Sequence, residues 1–357
     1  HQPNNGGVAT NATDPNDFTD TDNGGVPDYV ETMLYPNLGM PATDPNNAAD
    51  DDNNNDGDLL TDYEELVGGS DLNDPCDPNP CDAAITGKVF MGGAYNDVLG
   101  LMHDSLRVKN LIPLAQPYNT LTDYNYNGTE TVNPSVFTTT GPDAIVDWVF
   151  VELRDQADPT ISLYKRAGLV QRDGDIVDVD GTSPLTFTGA GTSNYFVSVR
   201  HRNHLGVMTQ APVTFGVVPP TVDFTVAATS NYQLSGPTGS AAAQKVWPST
   251  KRTLWPGNMS NQQILPDPHT GDRIIYQGPG ADVEAAYFVV LLDLANTNIT
   301  PVHIVDPIYS RADANMDGKV IYQGGNADTD VPFFTVFLFP DNPTTLPIFK
   351  VFEQIPK

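Results

Sequence analysis

Asp20-Thr21-Asp22-Asn23-Gly24-Gly25-Val26-Pro27-Asp28-Tyr29-Val30-Glu31 is the stretch around which this chain is organised. Acidic oxygens fall at loop positions one, three, nine and twelve, on Asp20, Asp22, Asp28 and Glu31, with Gly25 at six and the Val26 carbonyl at seven. That is the spacing of a calcium loop: a hard divalent cation takes six to eight oxygens, and a short loop converges them only around a glycine turn. A second copy runs from Asn54 to Glu65 and offers Asn54, Asp56, Asp58, the Leu60 carbonyl, Asp62 and Glu65. Both copies depart from the rule, because Gly24 removes the fifth-position ligand of the first and Leu59 replaces the turn glycine of the second. A register starting at Asp52 restores glycine as Gly57 but loses the terminal glutamate. The competing reading is a solvated acidic linker. Carboxylates about 5 Å apart repel by roughly 1–3 kcal/mol per pair, so a folded loop requires the metal.

The two copies share an Asp-Tyr-x-Glu ending and an Ala-Thr-Asp-Pro-Asn lead-in, at Ala12 to Asn16 and Ala42 to Asn46. On these motifs residues 12–75 resemble bacterial thrombospondin type 3 repeats, secreted stalks held by calcium rather than by an apolar core. The resemblance implies Ca2+ as cofactor, with Asp20, Asp22, Asp28, Glu31, Asn54, Asp56, Asp58, Asp62 and Glu65 among its ligands.

Charge supports a separate cation-binding segment. The first 82 of the 357 residues hold 19 Asp plus Glu and no Lys or Arg, whereas the rest carries 26 acids against 17 bases. A formal charge of −28 repels phosphate and makes nucleic acid a poor partner. No run of eighteen apolar residues is present, so no membrane-spanning helix is expected. A chain beginning at His1 suggests a mature form whose signal peptide has been removed, hence an extracellular location. Cys76 and Cys81 read as a small disulfide clip worth roughly 2 kcal/mol. A metal site would need two further soft ligands, and none lies nearby in the sequence. Asn11, Asn127, Asn258 and Asn298 stand in Asn-x-Ser/Thr sequons, acceptor sites in a glycosylating route.

Beyond this acidic arm (residues 1–82) the texture becomes mainly β. Seven short runs separated by Gly, Pro, Asn and Asp predict strands at Ile85 to Phe90, Ile145 to Arg154, Ile161 to Arg166, Asp175 to Val179, Leu185 to Phe187, Tyr195 to His201 and Val222 to Val226. This spacing suggests an Ig-like antiparallel β-sandwich over residues 83–227, interrupted by a long loop from Asn96 to Pro142 with a helical turn near Asp104. Arg200, His201, Arg202 and His204 form its one locally basic cluster. It reads as an anion site, as a docking point for the acidic arm of a neighbouring copy, or as a solvated strand end. No nucleophile elbow, zinc-protease helix or phosphate loop appears, which argues against an enzyme.

A Ser/Gly/Ala-rich linker (228–244) leads to a domain (245–357) made of two internal repeats: Arg273-Ile-Ile-Tyr-Gln-Gly recurs 46 positions on as Lys319-Val-Ile-Tyr-Gln-Gly. Each copy precedes an apolar run too short to assign as helix or strand. Asp313, Asn315 and Asp317, with Gly318 at six and the Lys319 carbonyl at seven, open a further calcium loop that Asp328 could close. This half-loop resembles the calcium loop of dockerin modules, without their Asp at positions nine and twelve. Residues 83–357 also resemble the repeat-bearing carboxy-terminal region of secreted bacterial hemagglutinin-like surface proteins, on Ala144 to Arg154, Arg172-Asp-Gly-Asp175, Arg200 to Thr209 and the paired Ile-Tyr-Gln-Gly units. That resemblance implies extracellular structure or adhesion. The leading expectation is a calcium-stabilised subunit joined head to tail in an extracellular homopolymer. The alternative is an adhesive module stacking surface glycans on Trp247, Trp255 or Tyr126.

Overall fold

The computed structural model describes residues 19–51, 53–55, 60–73, 82–216, 218–260 and 272–357. The chain divides into two compact units, His1–Cys81 and Asp82–Lys357.

In the amino-terminal unit the residues after the first loop are helical. A π-helical turn at Val30–Leu34 runs into a short helix α1 (Tyr35–Asn37), and α2 (Asp62–Gly68) follows the second loop. Helix α2 starts where a capping box satisfies its first amides: Glu64 N–H donates to Thr61 Oγ1 while the Glu64 carboxylate accepts from Thr61 N–H. It ends at Gly69, whose φ of 81° only glycine adopts without strain. The apolar cluster is small: Val26, Val30 and Tyr35, with Leu34, Met40, Tyr63 and Leu66 packed against them. Leu38, just beyond α1, is exposed.

The carboxy-terminal unit is mainly β. Its strands are β1 (Ala83–Lys88), β2 (Tyr95–Asn96), β3 (Leu101–Met102), β4 (Ile145–Asp155), β5 (Ser162–Gln171), β6 (Asp175–Val177), β7 (Leu185–Phe187), β8 (Asn194–His201), β9 (His204–Met208), β10 (Val213–Thr214) and β11 (Thr221–Asp223). Nine of these form one sheet in the order β10-β8-β4-β5-β6-β1-β11, with β7 also on β1 and β9 also on β8. Every pair is antiparallel except β1 with β11. All seven expected strands are present, β5 running five residues past its expected end, whereas β2, β3, β9 and β10 went unforeseen.

Strand β4 alternates apolar with polar residues, a pattern that predicts one wet face. Instead every residue from Ile145 to Arg154 is buried. The long insertion covers this strand: Tyr118, Tyr124 and Tyr126 pack their rings around Phe150, and Tyr118 Oη donates to the Trp148 carbonyl at 2.9 Å. Helix α3 (Ser105–Val108) is the helical turn expected there.

The internal repeat folds twice into one plan. Hairpin β12–β13 (Lys245–Val246, Arg252–Thr253) precedes it, followed by β14 (Arg273–Ile275), helix α4 (Val283–Leu292), β15 (Ile304–Val305), β16 (Val320–Ile321), helix α5 (Asp330–Phe337) and β17 (Lys350–Phe352). The undecided apolar runs are therefore helices. The first strand of each repeat pairs with the last strand of the other, β14 with β17 and β16 with β15. Asp282 and Asp328, 46 positions apart, each hold the preceding strand, accepting from Ile275 N–H at 2.7 Å and Ile321 N–H at 2.9 Å. Asn296 and Asn342 brace the two helix ends alike, each bonding the carbonyl six residues before it and the backbone four residues after it.

Candidate metal centre

The first loop closes on itself through side-chain-to-backbone bonds. Gly24 N–H donates to Asp22 Oδ1 at 2.9 Å and Gly25 N–H to Asp20 Oδ2 at 3.1 Å, with Gly25 at φ 117°. Asp28, expected as a ninth-position ligand, accepts at both oxygens from Thr21, from its amide at 2.8 Å and its hydroxyl at 2.7 Å. The equivalent Asp62 accepts from Asn55 N–H at 2.7 Å, so both acids act here as loop braces. Glu31 and Glu65, the two twelfth-position acids, are fully buried. Asp56 and Asp58 lie outside the described residues, as do Cys76, Cys81 and Asn11; Asn54 is exposed and Leu60 half-buried.

Two residues that the loop spacing did not include complete the site. Asp20, Asp22 and Asp51 bring carboxylate oxygens within 4.8 Å of one another, and Glu31, Asp50 and Asp51 do the same, so Asp51 belongs to both groups. Asp51 reaches in through Gly24: a Cβ on residue 24 would lie 2.1 Å from Asp51 Oδ2 and 2.9 Å from Ala48 Cα. The same oxygen accepts from Val26 N–H at 3.0 Å. The glycine that removes the fifth-position ligand thus admits an acid from 27 residues downstream. The signal in the sequence was the Asp50-Asp51-Asp52 run, whose contact with the first loop no local spacing encodes.

The donor set fits a hard cation. Asp22 Oδ2, Glu31 Oε2, Asp50 Oδ1 and Asp51 Oδ1 are buried oxygens without a hydrogen-bond partner, an arrangement that is costly unless a cation takes them up. Burial, reinforced by the neighbouring Asp51, Asp22 and Asp28 charges, pushes Glu31 up to about 7 against the opposing hydrogen bond from Thr43. Burial likewise raises Asp20 and Asp51. Oxygen-only ligands suit Ca2+ or Mg2+ rather than a thiophilic metal.

In the carboxy-terminal unit, the loop opened by Asp313 is held by backbone amides. Asp313 accepts from Asp317 N–H and Gly318 N–H at 3.0 and 2.9 Å, Asn315 Oδ1 accepts from Asp317 N–H, and Asp317 Oδ1 accepts from Lys319 N–H. Asp328 closes the loop by accepting from Ala314 N–H at 2.7 Å. Burial raises Asp313 to about 7 and Asp328 to about 8. Among the described residues Asp313, Asp317 and Asp328 do not form a third convergent carboxylate group.

The basic cluster does not form a docking surface. Arg200, His201, Arg202 and His204 are all buried, because β8 and β9 carry them into the interior. Arg200 meets Asp272 and Glu353 and stacks on Tyr124. Arg202 donates to Asp147 Oδ2 at 2.9 Å and stacks on Tyr309, which donates to Asp147 Oδ1 at 2.8 Å. His201 Nε2 lies 3.2 Å from Asp147 Oδ2, and His204 Nε2 accepts from Gly93 N–H at 2.9 Å. Burial lowers both histidines, at His201 against the opposing hydrogen bond and charge of Asp147. Arg202 and Asn203 also donate to the Ser310 and Asp313 carbonyls, tying the sheet to the second repeat. Asp147 within an otherwise apolar run was the sign that a buried cation would be needed.

Two further expectations are corrected by burial. Asn258 is 1 % exposed and cannot present its amide to a glycosylating enzyme, whereas Asn127 and Asn298 are exposed. Trp255 is buried with its Nε1 on the Ala242 carbonyl and only an edge lining a cavity, Tyr126 is packed on Phe150, and Trp247 is flanked by Tyr95 and Lys245, so none stands as an exposed stacking platform.

Comparison of the chain with protein-family models, with characterised proteins and with solved structures gives no match.

Proposed function

We propose that this chain is a calcium-stabilised structural subunit of an extracellular assembly built from copies of itself. One observation carries the calcium part: five acids from two separated stretches converge in the amino-terminal unit, and four of them, Asp22, Glu31, Asp50 and Asp51, keep a buried oxygen without a hydrogen-bond partner. Asp20, Asp22 and Asp51 would hold one ion, with Glu31, Asp50 and Asp51 holding a second. When bound, the metal supplies cross-linking that a cluster of three buried apolar side chains does not. The resemblance to thrombospondin type 3 repeats points the same way.

A non-catalytic role is supported by where the carboxy-terminal unit keeps its ionisable groups. Asp147, Glu152, Arg200, His201 and Arg202 are sealed in the core and paired with one another or with other buried groups, an arrangement that rigidifies and leaves no reacting atom accessible. The Ig-like sandwich remains our reading of how the sheet folds over its core, supported by β1 pairing with both β6 and β7.

The test is direct. Calcium titration of the intact chain should show binding that Asp51→Asn weakens, and electron micrographs in calcium should show polymers that chelator disperses. Discrete monomers in both conditions refute the assembly reading, and absence of calcium binding refutes the metal reading.

A further inference from the structure

A cavity of about 590 Å3 opens in the carboxy-terminal unit between hairpin β12–β13 and helix α5. Trp255, Val246, Phe334 and Leu338 give it an apolar wall, and Lys245 and Arg252 add positive charge. Phe334 and Leu338 are 52 % and 64 % exposed, although both sit on a helix whose other face is in the core. Neither cation meets a carboxylate among the described residues: Lys245 Nζ lies 4.0 Å over the Trp247 ring, and Arg252 bonds only the Thr229 carbonyl. Asp341, at the rim, is engaged by Ser240. In a chain with 45 acids and 17 bases, a cavity lined by two cations against one acid, beside an open apolar wall, marks a place where an acidic, apolar partner would sit.

The internal repeat supplies such a partner. Helix α4 carries Phe288 and Leu292 where α5 carries Phe334 and Leu338, and these are 54 % and 75 % exposed. Leu294, at 96 %, and Ile299 and Val302 extend the same uncovered stretch. From Val283 to Val302 the charged residues are Glu284, which is exposed, and Asp293, which His303 engages at 2.6 Å. Scattered apolar side chains are ordinary on a protein surface, but a run of this density is the mark of an interface.

We infer that the cavity beside α5 receives the α4 face of a second copy of the chain. Phe288 and Leu292 enter against Trp255, Phe334 and Leu338, and Glu284, one turn before Phe288 on α4, comes to Lys245 and Arg252. No residue of the α4 stretch lines the cavity, so knob and cavity are distinct patches, and a contact between them that is not exchanged reciprocally propagates from subunit to subunit. This interface rests on the self-assembly reading above and names the surfaces that would carry it.

Two variants of the full chain test it in calcium, by sedimentation velocity and electron microscopy: Phe288→Asp with Leu292→Asp, which spoils the knob, and Phe334→Asp with Leu338→Asp, which spoils the cavity. The mutated side chains are half or more exposed, so an unchanged urea midpoint verifies the fold. If either pair lowers the midpoint, the single changes Leu292→Ser and Leu338→Ser repeat the comparison. Each variant alone should associate at least tenfold more weakly than the wild type, and an equimolar mixture should stop at one-to-one pairs, each using its one intact surface. Variants that polymerise like the wild type overturn this interface and leave self-assembly standing. A wild-type chain that stays monomeric at every concentration overturns both. A monomer that instead takes up an unrelated acidic, apolar peptide gives the cavity a different occupant and also overturns the inference.

Discussion

Asp51 is the residue whose replacement best separates a metal-held unit from a merely acidic one. It faces Asp20 and Asp22 in one carboxylate group and Glu31 and Asp50 in the other, with oxygens within 4.8 Å. At that separation each charged pair costs about 1 kcal/mol in water and about 3 kcal/mol at an effective dielectric of 20. Four such pairs place between about 3 and about 14 kcal/mol on this one carboxylate, comparable with the whole stability of a small domain. Without a cation, Asp51→Asn should therefore make the amino-terminal unit more stable. With a cation, the same change removes a ligand shared by two sites and should abolish most of the calcium response. Hydrogen exchange of the intact chain in calcium and in chelator reads both states. For the wild type, chelation should release protection across residues 19–73 while Asp82–Lys357 stays protected. For Asp51→Asn, protection should be nearly the same in both buffers. A wild type indifferent to chelator, or a variant that keeps the full calcium response, refutes the reasoning.

Other consequences follow from particular contacts. Gly24→Ala drives a methyl group into Asp51 and the Ala48 backbone, so calcium affinity should fall by roughly 1–3 kcal/mol in a titration, with the carboxy-terminal unit unaffected. Asp147 and Glu152 are buried, and despite that burial Arg202 and Arg154 respectively hold each at about 2, below the usual carboxylate range. Because these folded values are depressed, each acid contributes roughly 2–3 kcal/mol at neutral pH. That stability is lost as pH falls from about 4.5 through about 2, and urea melts of the carboxy-terminal unit across this range should show it. Asp282→Ala strips the acceptor from the Met259, Ser260 and Ile275 amides, and should destabilise the first repeat by roughly 3 kcal/mol by denaturant midpoint. Expressed in a glycosylating host, the chain should carry glycans at Asn127 or Asn298 and none at Asn258, as peptide mass spectrometry would show.

The sequence alone determined what depends on local spacing. The loop turn around Gly25, the seven strands, the helical turn at Ser105 and the 46-residue repeat are all properties of neighbours along the chain, set by backbone sterics and side-chain period. Only the tertiary structure decided what depends on distant residues meeting. Asp51 reaches the first loop from 25 positions away, through a space that exists because residue 24 has no side chain. The cluster from Arg200 to His204 has the composition of a charged surface. It is internal because Asp147, Asp272 and Glu353, drawn from three other parts of the chain, compensate it. Strand β4 has a polar face that the sequence assigns to water and the folded chain assigns to the tyrosines of its long insertion. Which face of a strand is wet, and which carboxylates converge, are settled by contacts whose partners local periodicity does not specify.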